Sequence, residues 1–376
     1  MCRYAVAGIT LLGLLVSLTD AAEPSKSAGP APEKYQRTVD RAISYLTIKA
    51  QADDGSYSGQ LGTGPTAIAT LALMRHGRSP SDPAVAKSLA YLEKTVQPDG
   101  GIYKAGTYLR NYETCLAMMC FQKANRKGRY DKAIGRAEMF VKGIQWDESE
   151  DKKEADYSYG GAGYGKHKRP DLSNTAFLVD ALHECGKGSN DDAIKKALVF
   201  ISRCQNLETE HNTTPFSSKV NDGGFYYTCA AGGQSKSTEM PNGGLRSYAN
   251  MTYAGLKSMI FAGLKPDDPR VKAATEWIRK HYDLKTNPGM GGAGLYYYYH
   301  TFAKTMDALG EDHFEDATGT SHDWRKELVG ELAGRQRSDG SWINENDRWY
   351  EGDPGLVTAY ALLALSYCQP TTGAVE

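Results

Sequence analysis

The residues best suited to chemistry stand just ahead of a threonine that recurs along the chain. The pairs before Thr66, Thr114, Thr175, Thr252, Thr301 and Thr358 are Gly64-Pro65, Tyr112-Glu113, Ser173-Asn174, Asn250-Met251, Tyr299-His300 and Leu356-Val357. Glu113 is the only carboxylate among them and His300 the only imidazole, with Asp171 close by. Two carboxyls such as Glu113 and Asp171 support glycosidic hydrolysis when they stand about 5 to 9.5 Å apart. Tyr299, His300 and Asn174 are the types that neutralise a uronate and take its proton. Glu113, Asp171 and His300 are therefore the catalytic candidates, and Tyr112, Ser173, Asn174, Asn250, Tyr298 and Tyr299 the candidates for lining a cavity. A plainer role competes with each. Glu113, Asp171, Ser173 and Asn174 are types that cap helix starts, at about 1 kcal/mol apiece, and His300 sits among aromatics where a histidine hydrogen-bonds rather than titrates.

Those positions share an element type. Each Thr opens an aliphatic stretch at helical spacing, such as Phe177, Leu178, Val179, Ala181 and Leu182 after Thr175. Between these stretches lie helices with a charged face, expected over 35–51, from Pro83, and over 130–145, 191–205, 269–282 and 323–336. Asp82-Pro83 and Asp268-Pro269 are duplicate starts, with Asp as N-cap and Pro at the first helical position. Helices apolar on every side belong inside and amphipathic ones outside, so the chain is expected to be all-α, an (α/α)6 toroid of six hairpins with an apolar inner ring. Such a ring gathers the inner-helix starts, with their unpaired N–H groups, at one mouth. Long loops at 147–155 and 207–220 lie near it.

Bulk properties narrow the function classes. The chain has 376 residues, 44 Lys and Arg against 45 Asp and Glu, and a net charge of -1, so nucleic acid is not expected as a main partner. Arg3, an apolar run over 5–18 and small residues near Ala21 read as a cleaved secretory signal over 1–22. The product would be secreted or periplasmic, with no stable membrane span after cleavage. A tether rich in Pro, Ala and Ser follows over 23–34, and the folded body is expected over 35–370. Cys115, Cys120, Cys185, Cys204, Cys229 and Cys368 have no zinc-motif spacing and no assigned pairing. No cofactor is expected.

Gln336-Arg-Ser-Asp-Gly340-Ser-Trp342 resembles the Q-x-x-x-G-x-W signature of the terpene cyclase and prenyltransferase repeat superfamily. The stretches Gln51 to Tyr57 and Gln97 to Tyr103 resemble aromatic variants of it. The resemblance spans the six units and implies the toroid. Squalene and hopene cyclases of this superfamily carry D-x-D-D-T-A, whose middle Asp protonates the substrate. Asp171-Leu172-Ser173-Asn174-Thr175-Ala176 resembles that motif with Ser173 in the acid's place, and neither Ser nor Asn is a strong acid. Tyr298-Tyr299-His300-Thr301 is similar to the F-Y-H-T zinc element of protein prenyltransferase β subunits, but Asn250-Met251-Thr252 stands where the Asp and Cys ligands belong, so no metal site is implied. Ala231-Gly232-Gly233-Gln234 lacks the Cys and Glu of the complement thioester.

The resemblance and the 24 tyrosines together point to an extracytoplasmic toroid that binds a hydrophobic small molecule or polyprenyl ligand in its central cavity. A secreted polysaccharide lyase or glycoside hydrolase is one alternative. A noncatalytic protein-binding scaffold is the other.

Overall fold

The computed structural model describes residues 28–238 and 240–370. The expected signal over 1–22 lies outside them, as do residues 23–27 of the expected tether. Six long helices form an inner ring: α2 Gly64–Arg75, α4 Arg110–Ala124, α6 Leu172–Glu184, α9 Ala249–Phe261, α11 Leu295–Leu309 and α13 Pro354–Leu365. Six more wrap them: α1 Pro32–Tyr45, α3 Pro83–Glu93, α5 Asp131–Lys142, α7 Asp192–Arg203, α10 Pro269–Lys280 and α12 Trp324–Arg335. The short α8, Ser217–Val220, lies in a long loop, and the strands β1 Phe314–Glu315 and β2 Ser321–His322 form a small antiparallel ribbon.

Each inner helix packs on the next, and α13 returns to pack on α2, which closes the toroid. Composition explains which helices go inside. Every residue of α13 after its opening Pro is buried, whereas α1 buries only Tyr35, Thr38, Val39, Ala42 and Ile43. The duplicate starts behave alike: the Asp82 carboxylate accepts from the Ala84 N–H at 3.1 Å and that of Asp268 from the Arg270 N–H at 2.9 Å. Helix α1 begins at Pro32, ahead of the expected Tyr35, because Pro at the first turn is pre-set for helix. The segment before it is held by the Gly29 N–H, which donates to Asp323 at 2.8 Å. All six cysteines of the described residues are free, and the sulfurs of Cys204 and Cys229 lie 3.9 Å apart.

The recurring threonine is a staple. Thr66, Thr114, Thr175, Thr252 and Thr358 each accept, at 3.0 or 3.1 Å, from the backbone N–H of Tyr57, Ile102, Ala162, Phe225 and Trp342 respectively. Two residues before each of those donors stands a glycine pressed against the following outer helix. At Gly160, with φ +79°, a Cβ would lie 1.8 Å from the Lys196 carbonyl oxygen; at Gly340, with φ +91°, it would lie 2.3 Å from that of Arg41. A glutamine completes the device. The amides of Gln51, Gln145, Gln205 and Gln336 donate to the carbonyls of Ala84, Ala193, Arg270 and Thr38, at 2.8 to 3.0 Å. Each therefore ties the end of one outer helix to the next, at its first turn in three cases and at the second turn of α1 in the fourth.

The second unit departs from the expected register. Val96, not Gln97, pairs with Ile102 as Gln51 pairs with Tyr57, so Gly100 and Ile102 occupy the positions expected for Gly101 and Tyr103. Gln97 is displaced and donates to Thr95 and Tyr103 instead, while Arg136 reaches back to the carbonyls of Gln97 and Pro98.

A Gly160→Ala replacement combines left-handed backbone with a backbone clash, and should cost about 3 kcal/mol or more in urea unfolding. Gly186 has the same φ of +79° with nothing within 4 Å. There the alanine variant should lose only about 1 kcal/mol, and equal losses at both sites would contradict the packing role.

Candidate functional site

The inner-helix starts do converge on one cavity, of about 180 Å³. Tyr112, Ser173, Asn174 and Asn250 line it, as do Pro65, Met251 and Leu356 from the same threonine-anchored positions. Loop tyrosines Tyr108, Tyr164 and Tyr227 and the α9 N-cap Tyr248 complete the wall. Trp349, Tyr350 and Glu351 bring the loop before α13 over the opening, with Trp349 and Tyr350 at φ 60° and 65°. Left-handed backbone at two bulky residues costs about 1 to 2 kcal/mol each. Trp349 lies against Gly294, where a Cβ would come within 2.9 Å of its ring.

Four aromatic rings from four inner helices floor the cavity. The Tyr112 and Phe177 centroids are 4.9 Å apart edge to face, Phe177 and Tyr297 are 6.0 Å apart, and Tyr297 and Tyr360 are 5.9 Å apart. The Tyr360 hydroxyl meets that of Tyr112 at 2.8 Å and closes the cycle. The Ser173 hydroxyl lies 3.3 Å from that of Tyr297. Burial raises the pKa of Tyr112, Tyr297 and Tyr360 above the usual tyrosine range, so these hydroxyls stay neutral.

Further along the same helices, about 5 to 10 Å deeper by helical rise, the interior is ionic. The Lys257 ammonium is 2.6 Å and that of Lys304 3.2 Å from the Asp180 carboxylate, and Arg75 pairs with Glu184 at 2.6 Å. Burial works against the charge on Asp180, but the two ammoniums outweigh it and hold its pKa at about 2. His300 belongs to this layer. Its ring stacks on Tyr360 at 6.0 Å, and burial together with Lys304 and Lys257 pushes its pKa well below the usual range, so it is neutral.

The structure thus divides the sequence candidates. His300 lies beneath the aromatic floor, and Tyr298 and Tyr299 point away from the mouth, their hydroxyls donating to the carbonyls of Asp283 and Leu284 at 2.7 and 2.8 Å. The reason is a shift of frame in α11. Thr301 is not a staple there; it bonds the carbonyls of Tyr297 and Tyr298 within its own helix. Tyr297 therefore takes the lining place expected of Tyr298 and Tyr299. Glu113 is fully buried and accepts from the Lys104 N–H at 2.8 Å and the Thr107 hydroxyl at 2.9 Å, so it fixes a loop instead of facing the cavity.

Asp171 is the N-cap of α6, behind the wall. Its carboxylate accepts the Asn174 N–H and side-chain amide, both at 2.9 Å. Burial dominates and raises its pKa to about 6, although Asn174 and Tyr227 hydrogen bonds and Arg169 pull the other way. Glu351, which the threonine frame gave no reason to select, does line the cavity. It accepts from the N–H of Tyr297 at 2.8 Å and the Asn344 amide at 2.6 Å, and caps α11. Burial raises its pKa as well. Phe177 and Tyr360 were readable in principle, one helical turn beyond Ser173 and Leu356.

A protonated Asp171 is favoured in the folded chain, since its pKa of about 6 exceeds the ordinary value of about 3.9. That contribution to stability is whole below pH about 4 and is lost as pH rises through about 6. Asp171→Asn removes it. Measured by urea unfolding, the stability of the variant relative to wild type should improve by about 2 kcal/mol between pH 4 and 7.5, and a pH-independent difference would contradict the assignment.

Comparison with known proteins fits this architecture. No family model matches the sequence, and no curated protein matches it. Among solved structures, the type II terpene cyclase MstE from Scytonema is 13% identical, with a TM-score of 0.56 over 91% of this chain and 99% of that one. A single-substitution variant of that cyclase, in complex with geranylgeranyl dihydroxybenzoate, described as the substrate, gives a TM-score of 0.55 at 12% identity, over 90% and 98% of the two chains. A family 76 glycoside hydrolase from Bacteroides thetaiotaomicron gives 0.52 at 12% identity, over 88% and 78%. The chain therefore has the terpene cyclase-like α/α toroid fold, which glycoside hydrolases also use.

Proposed function

We propose that this chain is an exported toroid that binds a hydrophobic, isoprenoid-type ligand over its four-ring floor, and does not cyclise it by the superfamily's acid. The observation that carries this reading is the aromatic cycle of Tyr112, Phe177, Tyr297 and Tyr360 at the base of a cavity shared by all six inner-helix starts. Aromatic faces take apolar chains and rings through area burial and π contacts. The cavity, at about 180 Å³, compares with the ~150 Å³ apolar cavity that takes up benzene. It suits a prenyl group of modest length.

Two features speak against the cyclase reaction. Ser173 occupies the acid's place and its hydroxyl faces Tyr297, while Asp171 is spent on Asn174. The Lys257, Lys304 and Arg75 cations beneath the floor would also oppose a carbocation advancing along the axis. The hydrolase alternative gains the fold likeness but lacks a carboxylate pair free to act. Of the acids considered, Glu351 caps α11, Glu113 fixes a loop and Asp171 caps α6. Export rests on the N-terminal sequence, and the start of the mature chain, read by mass spectrometry, should fall near residue 23.

Geraniol titrated by calorimetry should bind the purified mature chain. Ser173→Phe fills the cavity from its wall and should weaken binding at least ~10-fold while the melting temperature holds within about 2 °C. Unchanged affinity would remove the ligand from this cavity, and a cyclised product formed by the wild-type chain would overturn the noncyclising reading.

A further inference from the structure

One edge of the mouth carries positive charge with no salt-bridge partner among the described residues. Lys236 lines the cavity, its ammonium 4.6 Å from the centroid of the Tyr227 ring, and the Arg169 guanidinium lies 5.8 Å from the same ring. Both donate to one neutral acceptor, the Gln234 side-chain oxygen, at 3.0 and 3.1 Å. Gln234 ends the Ala231 to Gln234 stretch that the sequence sets apart. Arg348, stacked on Trp349 at 4.3 Å, donates to the Lys236 carbonyl at 3.4 Å. None of these three cations forms a salt bridge among the described residues, and two of them share a single acceptor.

Like charges held together over an apolar opening repel, and here a neutral amide, ring faces and a buried carboxylate offset that repulsion only in part. The cost shows in Lys236, whose pKa is pulled down by its partial burial and by Arg169 and Arg348, with Asp171 only partly opposing. Asp171 is committed to Asn174, and Glu351, the carboxylate in the cavity wall, is committed to the start of α11. The chain as a whole has a net charge of -1, so the cluster is not a sample of a basic surface.

We propose that Arg169, Lys236 and Arg348 form an anion-binding rim, so that the ligand is an amphiphile with its apolar group over the four-ring floor and a carboxylate or phosphate at the rim. This rests on the cavity being the ligand site. Guanidinium groups suit either head group, because their forked donors match paired anionic oxygens. Gln234 positions two of the cations and is displaced as their acceptor when the anion arrives.

The test uses three ten-carbon probes on the mature chain: geraniol, geranic acid and geranyl monophosphate. By calorimetry in low salt, at least one anion should bind ~10-fold or more tightly than geraniol, and the advantage should shrink as salt screens the rim. In the triple variant Arg169→Gln, Lys236→Gln, Arg348→Gln the ratio of anion to geraniol affinity should fall to about one, whatever the variant does to geraniol itself. The anion that gains more identifies the head group. If geraniol binds as well as both anions, the rim proposal falls and the cavity reading survives. If no probe binds, both fall. If the triple variant keeps the anion preference, the head group lies elsewhere and the proposal is overturned.

Discussion

Closure of the ring is the constraint on which everything else depends. The last hairpin has no following unit to pack on, so it is joined to the first helix. The Gln336 amide bonds the Thr38 carbonyl, Gly340 lies under that of Arg41, and the Tyr35 hydroxyl bonds the Leu365 carbonyl at 3.1 Å. The glutamine and glycine contacts are those made by the units of Gln51, Gln145 and Gln205, used here across nearly the whole length of the chain. An open superhelix would leave the apolar flanks of α2 and α13 in water; closing buries both. It also sets six inner-helix starts around one axis, so that residues as distant as Tyr112 and Tyr360 share a hydrogen bond.

Within that ring the axis is layered. An aromatic cavity lies at the mouth, four rings floor it, and an ionic cluster fills the interior below. Each layer limits the next. Buried ion pairs contribute little net stability, but breaking one leaves an unpaired charge at a cost of about 3 to 5 kcal/mol. The cluster of Asp180, Lys257 and Lys304 therefore resists being parted by an apolar chain. Burial beneath the rings, with the ammoniums of Lys304 and Lys257, keeps His300 neutral. The cavity is shallow because the axis below it is occupied, and this separates the molecule from a toroid hollow along its length.

Much of this was legible in the sequence, and the failures have one physical origin. Periodic burial and the threonine frame identify the inner helices and bring Tyr112, Ser173, Asn174 and Asn250 to the mouth, because a staple that fixes a helix to its preceding loop also fixes which residue faces inward. In α11 the staple is absent and the helix starts earlier, after Gly294. The frame then selects Tyr298, Tyr299 and His300 where Tyr297 is the residue in place. Gln97 misleads in the same way, since a one-residue slip in its turn moves the motif glycine to Gly100. Glu113 and Asp171 were ambiguous between chemistry and capping, and the backbone donors beside them decide for anchoring roles. Lys236, Arg169 and Glu351 reach the mouth from loops, outside any repeat, and only the folded chain brings them together.

The central claim is that the aromatic floor sets how deep a ligand can go. It is tested most directly by calorimetry of a straight-chain alcohol series from hexanol to hexadecanol. Affinity should rise by up to about 0.8 kcal/mol per methylene while the cavity fills, then level off near about ten carbons. Replacing Phe177 with Ala should open the floor and move that plateau to longer chains. Affinity that climbs unbroken to sixteen carbons in the unaltered chain would mean that the ligand passes the four rings, and the layered account would be wrong.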